Sequence, residues 1–167
     1  MKSFASFLTA SFMMAGLLNS HKALAESWAY AGADRFYFPT GGYRSQGVTS
    51  NGAQWFFSWR YGLERTASDY RELEQNFSLF PRKSGIPPSV EALGGNHIGD
   101  IDYYGGKIYA PIEDMPNFRH PLVAVYDAAT LSHTGATYML PQSDLTMGVP
   151  WIAVDGPKNL AYTAEWD

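Results

Sequence analysis

The chain has no cysteine, which rules out a disulfide framework, a thiolate-held zinc or iron–sulfur site and a thiol nucleophile. Charge is scarce. Asp, Glu, Lys and Arg make up 17% of the 167 residues, with 12 bases against 16 acids and a net charge of −4. The bases form no cluster, so a nucleic-acid partner, which needs grouped Lys and Arg to meet phosphates, is not expected. There is no Gly-x-Ser-x-Gly elbow, no phosphate-binding Gly-rich loop and no His-Glu-x-x-His, which removes the common α/β-hydrolase, P-loop and zincin mechanisms. What is abundant is aromatic and turn-forming: 10 Phe, 5 Trp and 11 Tyr beside 16 Gly and 10 Pro. That balance favours a compact β-protein with many turns.

One long apolar run exists, Phe4 to Leu18. Its 15 residues fall short of the roughly 20 that a spanning helix needs. Lys2 precedes it and Ala23-Leu24-Ala25 follows, with small residues where a signal peptidase accepts them, so residues 1–25 read as a signal peptide cleaved before Glu26. The protein is expected to be exported, to a bacterial periplasm or beyond, with no membrane insertion after cleavage. Removing 25 residues and two lysines from a chain of 167 with charge −4 leaves 142 residues at −6. Cysteine-free composition fits an oxidising compartment without requiring one.

The strongest pattern in residues 26–167 is a recurring hairpin. It first reads Val48-Thr49-Ser50-Asn51-Gly52-Ala53-Gln54-Trp55-Phe56-Phe57-Ser58. It returns 53 residues later at Ile101, turning on Gly105-Gly106, and 51 residues after that at Ile152, turning on Asp155-Gly156. Each copy is an apolar strand, a turn carrying Gly and an aromatic-rich strand, and the three turns are expected to supply the positive φ of tight hairpins. The second copy continues with a strand at Leu122–Tyr126, a turn at Asp127–Thr130 and a strand over Ser132–Leu140. The first continues with strands at Tyr61–Thr66 and Arg71–Phe77, although Thr66-Ala67-Ser68-Asp69 also resembles a capping box that would open a short helix there. Four antiparallel strands in about 45 to 50 residues, then a restart, is the period of a propeller blade. The segments are a lead-in over 26–44, a first blade over 45–80, a connection over 81–95, a second blade over 96–140 and the start of a third over 148–167.

Residues Asn96–Tyr104 and Gly106–Glu113 resemble a blade of secreted β-propeller proteins, and the turn in Val125–Leu131 is similar to the strand-joining turn of YVTN-type repeats. The resemblance implies an all-β propeller with about two and a half blades of an incomplete ring. Propellers of this kind include binding proteins, lactonases, lyases and quinoprotein dehydrogenases, so the fold does not choose an activity. A ring closes with four to eight blades. The chain is therefore expected to be the front part of a longer protein, with a ring assembled from several copies, and a truncated product, as the competing readings.

In a propeller the innermost strand of each blade lines the central channel. The hairpin repeat aligns Arg44 with His97 and Gly148, and Gly47 with Asp100 and Trp151. A residue that changes between copies is not dictated by the repeat, which makes Arg44, His97, Asp100 and Trp151 the candidate ligand-binding residues for a small molecule or a protein. Asp100 and Asp102 are two apart on an expected strand and so share a face. With His97 they can hold a divalent cation, calcium if oxygens dominate and zinc if the histidine does, or serve as an acid/base pair in a lactonase-like hydrolase. The alternative for these residues is structural: Asp102 capping a turn or bonding a neighbouring blade, and His97 bonding to backbone. Glu113-Asp114 reads as a solvated turn, and His120 and His133 as unrelated to any zinc motif. Trp55, Trp59, Tyr103, Tyr104, Tyr109, Trp151 and Trp166 are able to stack on a sugar or aromatic ligand, but most of them are expected to pack between blades.

Overall fold

The computed structural model describes residues 29–166; the expected signal peptide lies outside them. The chain divides into a unit over Met1–Ala33 and one over Asp34–Asp167. Every strand among the described residues belongs to the second unit. That unit is all-β, built from antiparallel sheets that succeed one another along the chain. Among the described residues the sheets do not close into a ring.

The first sheet is a four-stranded meander of β1 (Gly47–Ser50), β2 (Trp55–Trp59), β3 (Gly62–Thr66) and β4 (Glu72–Gln75). Its first turn forms because Asn51 Oδ1 accepts the N–H groups of Ala53 and Gln54 at 3.0 and 2.8 Å while Gly52 takes φ +87°. The β2 sequence Trp-Phe-Phe-Ser-Trp has no polar alternation, and four of its five residues are buried, as a strand covered on both faces requires. The helix alternative after β3 is not realised. The Thr66 hydroxyl donates to the carbonyl of Ala67, Asp69 Oδ1 accepts from Arg71 N, and Tyr70 adopts φ +64°. Those bonds close a turn rather than cap a helix.

The connection to the second sheet holds a two-residue-strand hairpin, β5 (Ser78–Leu79) and β6 (Arg82–Lys83), and one helical turn, α1 (Pro88–Glu91). Pro87 and Pro88 set the entry to α1, whose Val90, with Ile86 before it, plugs into the core.

The second sheet contains β7 (His97–Ile98), β8 (Asp102–Tyr104), β9 (Lys107–Glu113), β10 (Leu122–Asp127) and β11 (His133–Met139), with β7 and β8 both paired to β9. The single first strand expected here is split. Between its halves the backbone turns to a different partner: Asp100 N donates to the Pro150 carbonyl at 2.8 Å and Ile152 N donates to the Asp100 carbonyl at 3.3 Å. Asp100 and Trp151 thereby form a parallel bridge. Ile108, Ala110 and Ile112 on β9 and Leu122, Ala124 and Tyr126 on β10 alternate onto one face. They pack with Phe56, Leu63, Ile86, Ile98 and Leu131 in the core between the first two sheets. The Phe56 and Tyr103 rings stack there with centroids 5.6 Å apart and planes at 11°. The turn after β10 is the expected one: Asp127 Oδ1 accepts from Ala129 N, Thr130 N and the Thr130 hydroxyl. The Thr130 backbone N–H, then its hydroxyl, hold that carboxyl below the ordinary value.

The third sheet consists of β12 (Ala153–Asp155) and β13 (Leu160–Tyr162). Its turn differs from expectation. Positive φ is supplied not by Gly156 but by Asn159, at +54°, closing a short 3-10 turn over Gly156–Lys158. Gly156 is needed for space instead, since a Cβ on it would fall on the Tyr104 ring. Gly156→Ala must push that ring away, and a loss of about 1–3 kcal/mol, typical of overpacking, is expected in a urea titration.

Candidate functional site

The repeat alignment gives two rows of matched residues, and the rows differ in kind. In the first row Arg44 and His97 both turn inward onto buried carboxylates. Arg44 reaches Glu64 on β3 with Nε to Oε2 at 2.6 Å and Nη2 to Oε1 at 2.7 Å, and donates from Nη2 to the Tyr70 carbonyl at 3.0 Å. Its guanidinium lies 4.5 Å from the Phe36 ring centre and 4.8 Å from that of Phe57. Both partners are nearly inaccessible, at 4% and 2% side-chain exposure. His97 Nδ1 lies 2.8 Å from Glu113 Oε1. Glu113 Oε2 also accepts from Val149 N at 2.8 Å, and the Trp166 indole N–H bridges both carboxylate oxygens at 3.1 and 3.2 Å. Gly148, the third member of the row, packs against that carboxylate. Arg44 and His97 are thus each bonded to a buried carboxylate of a neighbouring strand.

Glu64 and Glu113 were the residues the sequence pattern passed over, although a signal existed. Glu64 follows the buried Leu63 in β3 and Glu113 ends the apolar run Ile108–Ile112 of β9, and a buried acid implies a buried partner. The solvated turn expected at Glu113-Asp114 is absent, since both side chains are 1% exposed. Burial pushes the Asp114 carboxyl up, but the N–H groups of His120 and Arg119 and the Arg119 guanidinium outweigh it and hold it below the ordinary value. His133 is bound locally, with Nε2 3.0 Å from the Ala136 carbonyl oxygen.

The second row stays open. Gly47, Asp100 and Trp151 lie side by side on three successive segments, as the repeat aligned them. A Cβ on Gly47 would meet the Asp100 carboxylate, and Asp100 is bridged to Trp151. Asp100 and Trp151 are exposed, and so is Val48 beside them. Desolvation raises the Asp100 carboxyl above its ordinary value, against the opposing backbone N–H groups of Ile101 and Val48, and the Asp102 charge adds to the rise. Asp102 plays a different part. Its Oδ1 accepts from the Thr49 hydroxyl at 3.1 Å and from Tyr103 N at 2.7 Å, and its Oδ2 from Val154 N at 2.7 Å. It stitches the first strands of all three sheets together, which is its structural alternative. Asp100 sits in the break between β7 and β8, so the two carboxylates do not act as one strand face, and His97 is held by Glu113. Among the described residues no group of three or more His, Asp or Glu is placed to hold a metal ion. Neither aspartate has a basic partner within 4 Å among these residues.

A concavity of 420 Å³ lies between the second sheet and the β12–β13 hairpin, walled by Tyr104, Tyr109, Val123, Tyr138, Val154 and Tyr162. It contains neither Asp100 nor Trp151. Comparison with known proteins finds no family model, curated protein or solved structure that matches the chain.

Proposed function

We propose that this protein is an exported binding module made of propeller-type blades, and that it holds the cationic group of a small molecule or protein ligand at Asp100 and Trp151. The observation that carries the reading is the Asp100–Trp151 bridge, which sets an exposed carboxylate without a basic partner beside an exposed indole. A carboxylate attracts an ammonium or guanidinium group, and an indole face adds cation–π attraction of about 0.5–2 kcal/mol. Propeller-type architecture is supported by the repeated meanders and by first strands that lie next to one another, bonded through Thr49, Asp102 and Val154. Export is supported by the leader-like residues 1–25.

The test is a titration with tetramethylammonium and arginine methyl ester, with N-acetylglucosamine as the neutral control, followed by the NMR signal of the Trp151 indole N–H. Both cations are expected to shift that signal, and Asp100→Asn to weaken them at least tenfold. No shift with either cation, or equal affinity in the variant, would overturn the reading.

Stability gives an independent check. A carboxyl whose folded-state value is raised contributes stability below its ordinary value and loses it as pH rises through the raised one. At pH 7 the ionised Asp100 therefore costs the fold something. Asp100→Asn keeps an acceptor oxygen and removes the charge, so its melting temperature at pH 7 is expected to equal or exceed that of the wild type. A clear drop would place Asp100 with the structural residues.

A further inference from the structure

The connection between the first two sheets carries a hairpin with an exposed tip. Asn76 N donates to the Leu63 carbonyl at 3.2 Å and Gly85 N to the Tyr61 carbonyl at 2.7 Å. The chain thus leaves β4, and returns, beside the β2–β3 turn. Between those two anchors it runs out and back as β5 and β6. Ser78 pairs with Lys83 and Leu79 with Arg82, which leaves Phe80-Pro81 as the apex.

That apex is apolar and uncovered, with Phe80 92% and Leu79 56% exposed. Apolar side chains held out together on a tight hairpin add nothing to the core, and such patches mark surfaces that meet a partner. Directly behind them come Arg82 and Lys83, both exposed and the only two bases adjacent in the chain. Cross-strand partners share a face, so Leu79 and Arg82 lie on one side of the hairpin and Ser78 and Lys83 on the other. The two cations flank the tip. Neither has an acidic partner within 4 Å among the described residues. Glu91 lines one hollow with Arg82 and Glu74 another with Lys83, and both carboxylates stay beyond that distance.

This order, apolar apex first and unpaired bases behind it, selects among partners. A soluble anion would use the bases and leave Phe80 and Leu79 in water. An apolar cleft would take those two side chains and leave the bases unmatched. A leaflet of anionic lipids matches both, because apolar side chains enter the boundary between headgroups and acyl chains while Lys and Arg stay among the phosphates. We propose that the β5–β6 hairpin attaches the protein to an anionic membrane surface, with Phe80 and Leu79 inserted and Arg82 and Lys83 on the headgroups. The attachment is shallow, is made by a loop and needs no spanning segment. It is separate from Asp100 and Trp151.

The test floats the whole protein with vesicles of mixed phosphatidylglycerol and phosphatidylcholine, or of phosphatidylcholine alone. Binding to the mixed vesicles is expected, roughly tenfold weaker on the neutral ones and weakened by added salt. Phe80→Ser, and Arg82→Ser combined with Lys83→Ser, should each lower it by roughly fivefold or more. These side chains are exposed, so circular dichroism should not change. Because the chain has no cysteine, Pro81→Cys carries an environment-sensitive dye at the apex alone. Its emission should shift to the blue on anionic vesicles. The same dye on Ser68→Cys, in the β3–β4 turn at the other end of the first sheet, should not respond. No binding, equal binding to neutral vesicles, indifference to the tip variants, or a shift at Ser68 alone would overturn the proposal. So would sedimentation showing a dimer that Phe80→Ser dissociates, which would assign the tip to a second copy of the chain.

Discussion

Glu113→Ala is expected to destabilise the protein by about 3–5 kcal/mol, because it removes an acceptor that several groups share. The carboxylate is 1% exposed and is the meeting point of His97 on β7, the Val149 backbone N–H and the Trp166 indole. Truncating it leaves all three without that acceptor; the buried Val149 and His97 groups cost on the order of 1–3 kcal/mol each when unsatisfied, and the exposed Trp166 indole less, because water reaches it. The three penalties are not additive, because the freed segments can relax together. Small domains have total stabilities of about 5–15 kcal/mol, so the loss is a large share of what holds the fold. Urea titration at neutral pH reads it directly. Glu113→Gln keeps the shape and one acceptor oxygen and should fall between wild type and alanine. A Glu113→Ala midpoint indistinguishable from wild type would mean that this carboxylate does not organise the fold.

Much of the architecture was legible because it rests on local rules. The turns at Asn51-Gly52 and Asp127–Thr130 are set by side chains that bond their own backbone, and the strands between them follow from hydrophobic patterning. The third turn misled for a local reason as well: a glycine can be required for φ or for space, and sequence does not distinguish the two. Gly156 makes room for a ring 52 positions earlier in the chain, which no window around it reveals. The split between β7 and β8 was equally hidden, because its cause is a bond to the Pro150 carbonyl.

The candidate site was legible in alignment but not in role. Matching the repeats placed Gly47, Asp100 and Trp151 in one row, and they are neighbours in space. The inference that variable residues serve a ligand holds as a proposal for Asp100 and Trp151. At Arg44 and His97 the variation is matched by buried partners, Glu64 and Glu113, that sit on other strands. Asp102 shows the same principle. Its partners Thr49 and Val154 lie 53 residues before it and 52 after it, about one repeat to either side, so the spacing brought the segments together but did not say which residue bonds which.

Arg44 gives the sharpest separation of the two roles. Arg44→Met and Glu64→Leu, made singly, are each expected to cost about 3–5 kcal/mol, because either one strands a charge in a nearly inaccessible site. The double variant should recover most of that loss and lie within about 1 kcal/mol of the wild type, since two apolar side chains fill the space without a desolvation penalty. Some deficit remains in it, from the Tyr70 carbonyl that loses its donor and from the Phe36 and Phe57 faces that lose their cation. A thermodynamic cycle on the four proteins measures the coupling, expected to be several kcal/mol for a paired, buried contact. If Arg44 instead served a ligand, Arg44→Met would leave stability near wild type while abolishing binding, and Glu64→Leu would gain nothing from the second change. Recovery in the double variant, together with undiminished cation binding at Asp100 and Trp151, is the pattern that the geometry requires.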